Sequence, residues 1–193
     1  MGTHFSYIAD QALPSLEEEE VCQHCEQEGI KAYAVRATIL DPSLSADPEL
    51  AEEEPQLNYA CESCIKSGNL ALDEDYLNDL KASLPKGLHN RIENPQFAHQ
   101  PYIQFLHHND WPFCCHDLTE YIGETPEADE DYATFTCWRP MSPSVADYAL
   151  QDFYPLENIE PFFTMRLFRC LHCAAKYWNF QYSGLLWPGP THS

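Results

Sequence analysis

A chain of 193 residues that is 44% hydrophobic has the material for a packed core, which excludes general disorder. Its 31 acidic and 10 basic residues give a net charge of −21, a field that repels phosphate and disfavours direct binding to nucleic acid or to an anionic membrane. The same field favours a strongly basic protein partner, although a merely well-solvated surface would carry it too.

There is no apolar run of about 18 residues, so no membrane span is expected. Residues 1–10 lack a basic start followed by an apolar stretch, which predicts no secretory signal and a cytoplasmic protein. Nine cysteines in that setting fit metal ligation in a reducing compartment better than a disulfide framework, and the odd count leaves at least one thiol with another fate.

In chain order, residues 1–20 read as a surface lead-in that ends in the solvated run Glu17 to Glu20. Cys22 and Cys25 form a first Cys-x-x-Cys pair. Residues 31–40 (KAYAVRATIL) are rich in β-formers and predict a strand. Residues 41–55, with three prolines and the run Glu52-Glu53-Glu54, predict a loop with room for a short helix. Cys61 and Cys64 form the second pair. Across residues 70–84, the spacing of Leu72, Tyr76, Leu77, Leu80 and Leu84 predicts an amphipathic helix stopped by Pro85 and Gly87.

Residues 85–114 read as irregular. Residues 117–123 predict a short helix with Gly123 near its C-cap. Residues 125–131 (TPEADED) carry a helix-start pattern, and residues 144–153 predict a further helix. Residues 162–170 and 177–182 read as two strands joined by the third pair, Cys170 and Cys173, ahead of an irregular tail at Trp187. These elements predict an α+β fold in which zinc-stapled knuckles and short β-strands pack with several helices. We divide it into an N-terminal zinc-knuckle region, 1–85, and a C-terminal α+β region, 86–193, within one compact unit.

The cysteine pairs carry the chemistry. Cys22, Cys25, Cys61 and Cys64 supply four soft thiolates, which fill a zinc tetrahedron and leave no open position; such a site is structural. A redox Cys-x-x-Cys needs a thiol at a helix N-terminus in a thioredoxin-like unit, and neither pair is set in that pattern. Cys170 and Cys173 resemble half of a second zinc site, completed from Cys114, Cys115 or His116; buried thiols or a disulfide are the alternatives. His24 and His172, inside two of the knuckles, read as loop residues or as support behind the ligands. The adjacent His107 and His108 have no matching partner, and Cys137 reads as a buried thiol. No Gly-rich phosphate loop, Gly-x-Ser-x-Gly elbow or His-Glu-x-x-His helix is present. Cys114, Cys115 and His116 are neighbours in sequence, but adjacent side chains diverge and rarely form a working dyad. Acid pairs such as Asp129 and Asp131 read as solvated surface.

Four stretches carry a resemblance: VCQHC (21–25), ACESCIKSGNLAL (60–72), WPFCCHDLTEYIGE (111–124) and FRCLHCAAKYWNF (168–180). In this order they resemble the CbrC-like family, a bacterial family associated in name with colicin tolerance. Its pattern has a Cys-x-x-Cys, then Cys-x-x-Cys-Ile, then Cys-Gly-Asp followed by aromatic-Leu-Gly, and last Phe-x-Cys-Leu-x-Cys-Gly. Here His116 and Ala174 stand where that pattern has glycine, and both departures bear on turn geometry around the second cysteine group. The middle motif matches Cys115 in preference to Cys114, since Asp117 follows it two positions on.

The resemblance and the charge together imply a non-enzymatic, cytosolic immunity or tolerance factor. It would neutralise a basic toxin, one acting on nucleic acid or nucleotides, by occluding its active site. Acidic residues Glu52, Glu53, Glu54, Glu127, Asp129, Glu130 and Asp131 are candidates for the rim of that contact. A zinc- or thiol-dependent enzyme is the chief alternative; it requires an open coordination position or a reactive thiol in a cleft. An acidic adaptor or DNA mimic that binds several basic proteins is the third reading.

Overall fold

A computed structural model of the chain describes residues 2–14, 21–53, 56–106, 109–125, 131–139, 148–153 and 163–182. Its first sheet is antiparallel, with strand β1 (Ala32–Ile39) between β2 (Gln56–Cys61) and β3 (Leu70–Leu72). The expected strand over 31–40 is therefore present. Tyr33, Val35, Ala37 and Ile39 turn inward while Arg36 stays exposed, the alternation of a half-buried strand. The 41–55 connection contains a 3-10 turn (Pro42–Leu44) and a short helix, α1 (Pro48–Glu53).

The helix predicted from residue 70 starts four residues later. Leu70 and Leu72 pair instead with Ile39 and Ala37 as β3, and α3 (Glu74–Ser83) follows the short helix α2 (Glu62–Lys66) and that strand. Asp73 sets the boundary, because its carboxylate accepts the Tyr76 backbone N–H at 3.1 Å and so caps the helix. Glu74 and Asp75 in the first turn favour the positive end of the helix dipole. Residues 85–114, read as irregular, contain two further single-turn helices, α4 (His89–Ile92) and α5 (Pro95–Ala98).

Two expectations are overturned. Residues 2–14 are not a surface lead-in: Phe5, Tyr7, Ile8 and Ala9 are buried. The segment is tied to Tyr121, whose N–H donates to Tyr7 O at 2.8 Å and whose carbonyl accepts from Ala9 N at 2.9 Å. Apolar side chains at positions 5, 7 and 8 account for this, since burial outweighs their closeness to the start of the chain. The acidic run at 17–20 lies outside the described residues.

Likewise, residues 117–123 form strands and not a helix. Strands β4 (Phe113–Cys114) and β5 (Asp117–Leu118) make a tight hairpin through Cys115 and His116, which lie at φ 52° and 61°. Two consecutive left-handed residues make the turn type that matches the twist of paired strands. Strand β6 (Glu120–Gly123) then pairs with β8 (Phe163–Arg169), which aligns Glu120 with Arg169 and Tyr121 with Phe168. Glu120 is fully buried and takes the Arg169 guanidinium at 2.7 Å. This sheet runs β6-β8-β9-β7: β8 and β9 (Lys176–Tyr182) are antiparallel over seven pairs, and β7 (Phe135–Cys137) lies parallel to β9. The strands expected near 162–170 and 177–182 are thus found.

Of the helix expected at 144–153, Leu150–Phe153 forms a 3-10 turn, while positions 144–147 lie outside the described residues; so do residues 126–130 and the tail from Trp187. One core runs from Phe5 to Phe168 and centres on fully buried Trp111, in edge contact with Phe97 and Phe168. A smaller one gathers Phe153, Met165, Leu167, Trp178 and Phe180. No described helix is long and apolar enough to cross a membrane.

Candidate metal centres

Four cysteines meet where the first sheet ends. Cys22 and Cys25 lie on a turn in which the Glu26 N–H donates to Cys22 O at 2.7 Å and Glu26 takes φ 54°. Cys61 ends β2 and stands immediately before α2, which carries Cys64. The second pair therefore occupies a strand-to-helix junction. The helix N-terminus that a redox pair needs is present, but the thiols face two further cysteines across the site.

The sulfurs of Cys22, Cys25, Cys61 and Cys64 all lie within 4.8 Å of one another, with Cys25 and Cys61 4.0 Å apart. Four sulfurs about 2.3 Å from one ion in a tetrahedron stand roughly 3.8 Å apart, so the set could hold a metal. Cys22, Cys61 and Cys64 are buried. The Cys61 N–H donates to Cys22 Sγ at 3.3 Å, and the Ser63 hydroxyl lies 3.0 Å from Cys61 Sγ.

Burial alone would raise the Cys61 thiol. The Ser63 hydroxyl, the Cys64 N–H and the adjoining thiols outweigh it and bring Cys61 down to about 7. Burial and the neighbouring sulfurs hold Cys64 well above the ordinary thiol range, and burial raises Cys25. The fold therefore favours the thiolate at Cys61 and the thiol at Cys64 and Cys25, and thiolate is the form that binds a metal.

His24 supports the cluster through a chain of donors. The Asp41 N–H donates to Asn69 Oδ1 at 2.8 Å, which turns the Asn69 amide nitrogen toward His24 Nε2 at 2.7 Å. An Nε2 that accepts leaves the ring proton on Nδ1, 3.3 Å from Cys64 Sγ and directed at it. Burial lowers the basicity of His24 and keeps the ring neutral. The sequence singled out His24 but carried no sign of Asn69, which lies 45 residues away.

The second group joins the β4–β5 hairpin to the turn between β8 and β9. The sulfurs of Cys114, Cys115, Cys170 and Cys173 again lie within 4.8 Å of one another, and this set too could hold a metal. Cys114 and Cys115 do not diverge, because the left-handed turn swings their sulfurs to 3.7 Å. Cys114, which the middle motif left aside, reaches Cys173 at 3.5 Å.

The 170–173 turn repeats the 22–25 turn. Cys170 N–H to Ala175 O and Ala174 N–H to Cys170 O match Cys22 N–H to Gln27 O and Glu26 N–H to Cys22 O, and Ala174 at φ 59° matches Glu26. The two glycine departures noted in the sequence thus fall on left-handed residues, His116 and Ala174. The Ala175 N–H leads the effects that bring Cys173 down to about 7, whereas hydrogen bonds with the Cys173 and Cys114 thiols push Cys115 up to about 12.

His172 occupies the position of His24 in its knuckle but turns outward to Asp117 Oδ2 at 3.1 Å. Asp117 also receives Tyr7 and Arg91. Cys137 is half-buried beside the smaller core, and burial raises it to about 11. Among the acidic candidates, Glu52, Glu53 and Asp131 are exposed, and Asp131 caps a 3-10 turn. Glu54, Glu127, Asp129 and Glu130 lie outside the described residues, as do His107 and His108.

The chain belongs to the uncharacterised protein family UPF0167, which it matches over residues 3–181 and of which CbrC is a member. No curated protein and no solved structure matches it.

Proposed function

We propose that this is a zinc-stapled, non-enzymatic protein that docks on a basic protein partner, and that the partner is a toxin domain whose active site it covers. One observation carries the reading: both cysteine groups are complete four-sulfur sets, so a bound ion would keep no position for substrate or an activated water. Zinc suits four thiolates better than a hard cation does. Each loaded site would also carry two net negative charges, which adds to the −21 of the chain and to the attraction for a basic surface.

Co-expression of the chain with the product of the neighbouring open reading frame tests the reading. Rescue from lethality, with recovery of a one-to-one complex whose association slows steeply with salt, is expected. A neighbouring product that is harmless alone, or stays lethal beside this protein, refutes it.

The thiol-dependent alternative draws on one observation. Cys61 lines an open depression together with Lys31, Ser63 and Lys66. Mild alkylation that labels Cys61 while the full metal content stays bound would favour that alternative.

A further inference from the structure

We propose that the two cysteine groups differ in kind: the first is a permanent staple, and the second is an exchange site that gives up and accepts soft d10 ions such as Zn2+ or Cd2+. This rests on the reading that both groups hold metal.

Access is the first argument. In the first group three of the four cysteines are buried; in the second only Cys170 is, at 3% exposure, while Cys115 and Cys173 face solvent. Thiolate-bound d10 ions change hands when an incoming ligand attacks the ion before an old one leaves. Buried sulfurs block that approach, and two exposed ones leave a side of the ion open.

Backbone strain is the second, independent argument. The second group is held by three non-glycine residues in the left-handed region, Cys115, His116 and Ala174, against Glu26 alone at the first. Each disfavours the assembled conformation, and the strain is relieved when the turn relaxes. The ion must offset that cost, so it is held less tightly.

The support also differs. The His24 ring is locked by Asn69 and points at Cys64, whereas the His172 ring turns to Asp117; at the second group the donors are the His172 backbone N–H, 3.4 Å from Cys170 Sγ, and the Tyr177 hydroxyl at Cys114, so no histidine ring among the described residues braces it. In the exchange step, a thiolate from a small molecule or a partner protein forms a metal–sulfur bond as the bond to Cys115 or Cys173 breaks. The released thiolate takes a proton from water, and no oxidation is involved.

The test uses the full chain, reconstituted with zinc under reducing conditions until two equivalents are bound, then mixed with excess chromophoric chelator at neutral pH. Two phases are expected, one equivalent leaving at least tenfold faster than the other. Cys115→Ser, at an exposed position, should abolish the fast phase and leave the slow one. Ala174→Gly, which removes a left-handed side chain without touching a ligand, should slow the fast phase severalfold and leave the slow phase unchanged. Two equivalents leaving at one rate, or a fast phase indifferent to both substitutions, would overturn the proposal while the two-metal reading stands. Reconstitution that stops short of two equivalents would overturn both.

Discussion

Replacing His24 with phenylalanine isolates the contribution of one donor to one metal centre. Phenylalanine keeps a planar ring of similar size but removes the Nδ1 proton that faces Cys64 Sγ at 3.3 Å and the Nε2 lone pair that receives Asn69 at 2.7 Å. A hydrogen bond to a charged acceptor contributes about 1.5–3 kcal/mol. At about 1.4 kcal/mol per factor of ten, zinc affinity at the first site should fall roughly 10- to 100-fold, the range seen when partners behind metal ligands are removed. The unpaired Asn69 amide adds a further cost to stability. The control is His172→Phe, at the same position of the matching turn. Its ring is more than half exposed and pairs with Asp117, so affinity at the second site should change by less than about fivefold. Competition with a chelator of known affinity, with cobalt–thiolate absorption identifying occupied sites, measures both. Equal losses in the two variants, or none in His24→Phe, would refute the assignment of His24 as donor to a thiolate.

Cys61→Ser should reduce bound zinc from two equivalents to one, by elemental analysis, and loosen the N-terminal sheet by amide exchange; full metal content would count against the first site. Trp111→Ala removes a fully buried indole whose Nε1–H donates to Thr119 O at 2.8 Å, and urea unfolding should report a loss of about 3–5 kcal/mol. Zinc affinity should fall as pH drops through the region near 7 where the metal-free Cys61 and Cys173 thiols titrate, because protons compete with the ion for every sulfur. The sign is fixed: those thiols are lowered in the fold, so their contribution is present at higher pH and fades on acidification, and a metal content that rises with acid would contradict it.

The cysteine groups were legible because ligand spacing is local chemistry. Strands β1, β8 and β9 were legible because their β-forming residues are long runs. The hairpin at 113–118 was not. Its turn is built from Cys115 and His116, neither of which announces a left-handed position as Asn-Gly or Asp-Gly would. Gly123 suggested a helix end but lies at φ 121° beside an irregularity in the β6–β8 pairing. At residues 70–72 a short apolar run fitted either period, and long-range pairing with β1 decided it. The Asn69–His24–Cys64 chain depends on three segments converging, which no window of sequence contains.

The attachment of residues 7–9 to Tyr121 has a consequence for how the molecule is made. A polypeptide emerging from the ribosome presents Ile8 more than a hundred residues before the strand that shelters it. The first four-cysteine set, complete by Cys64, could take up a metal ion well before then. Biosynthesis would thus pass through a metal-clamped half whose opening segment waits, exposed, for the later strands to arrive.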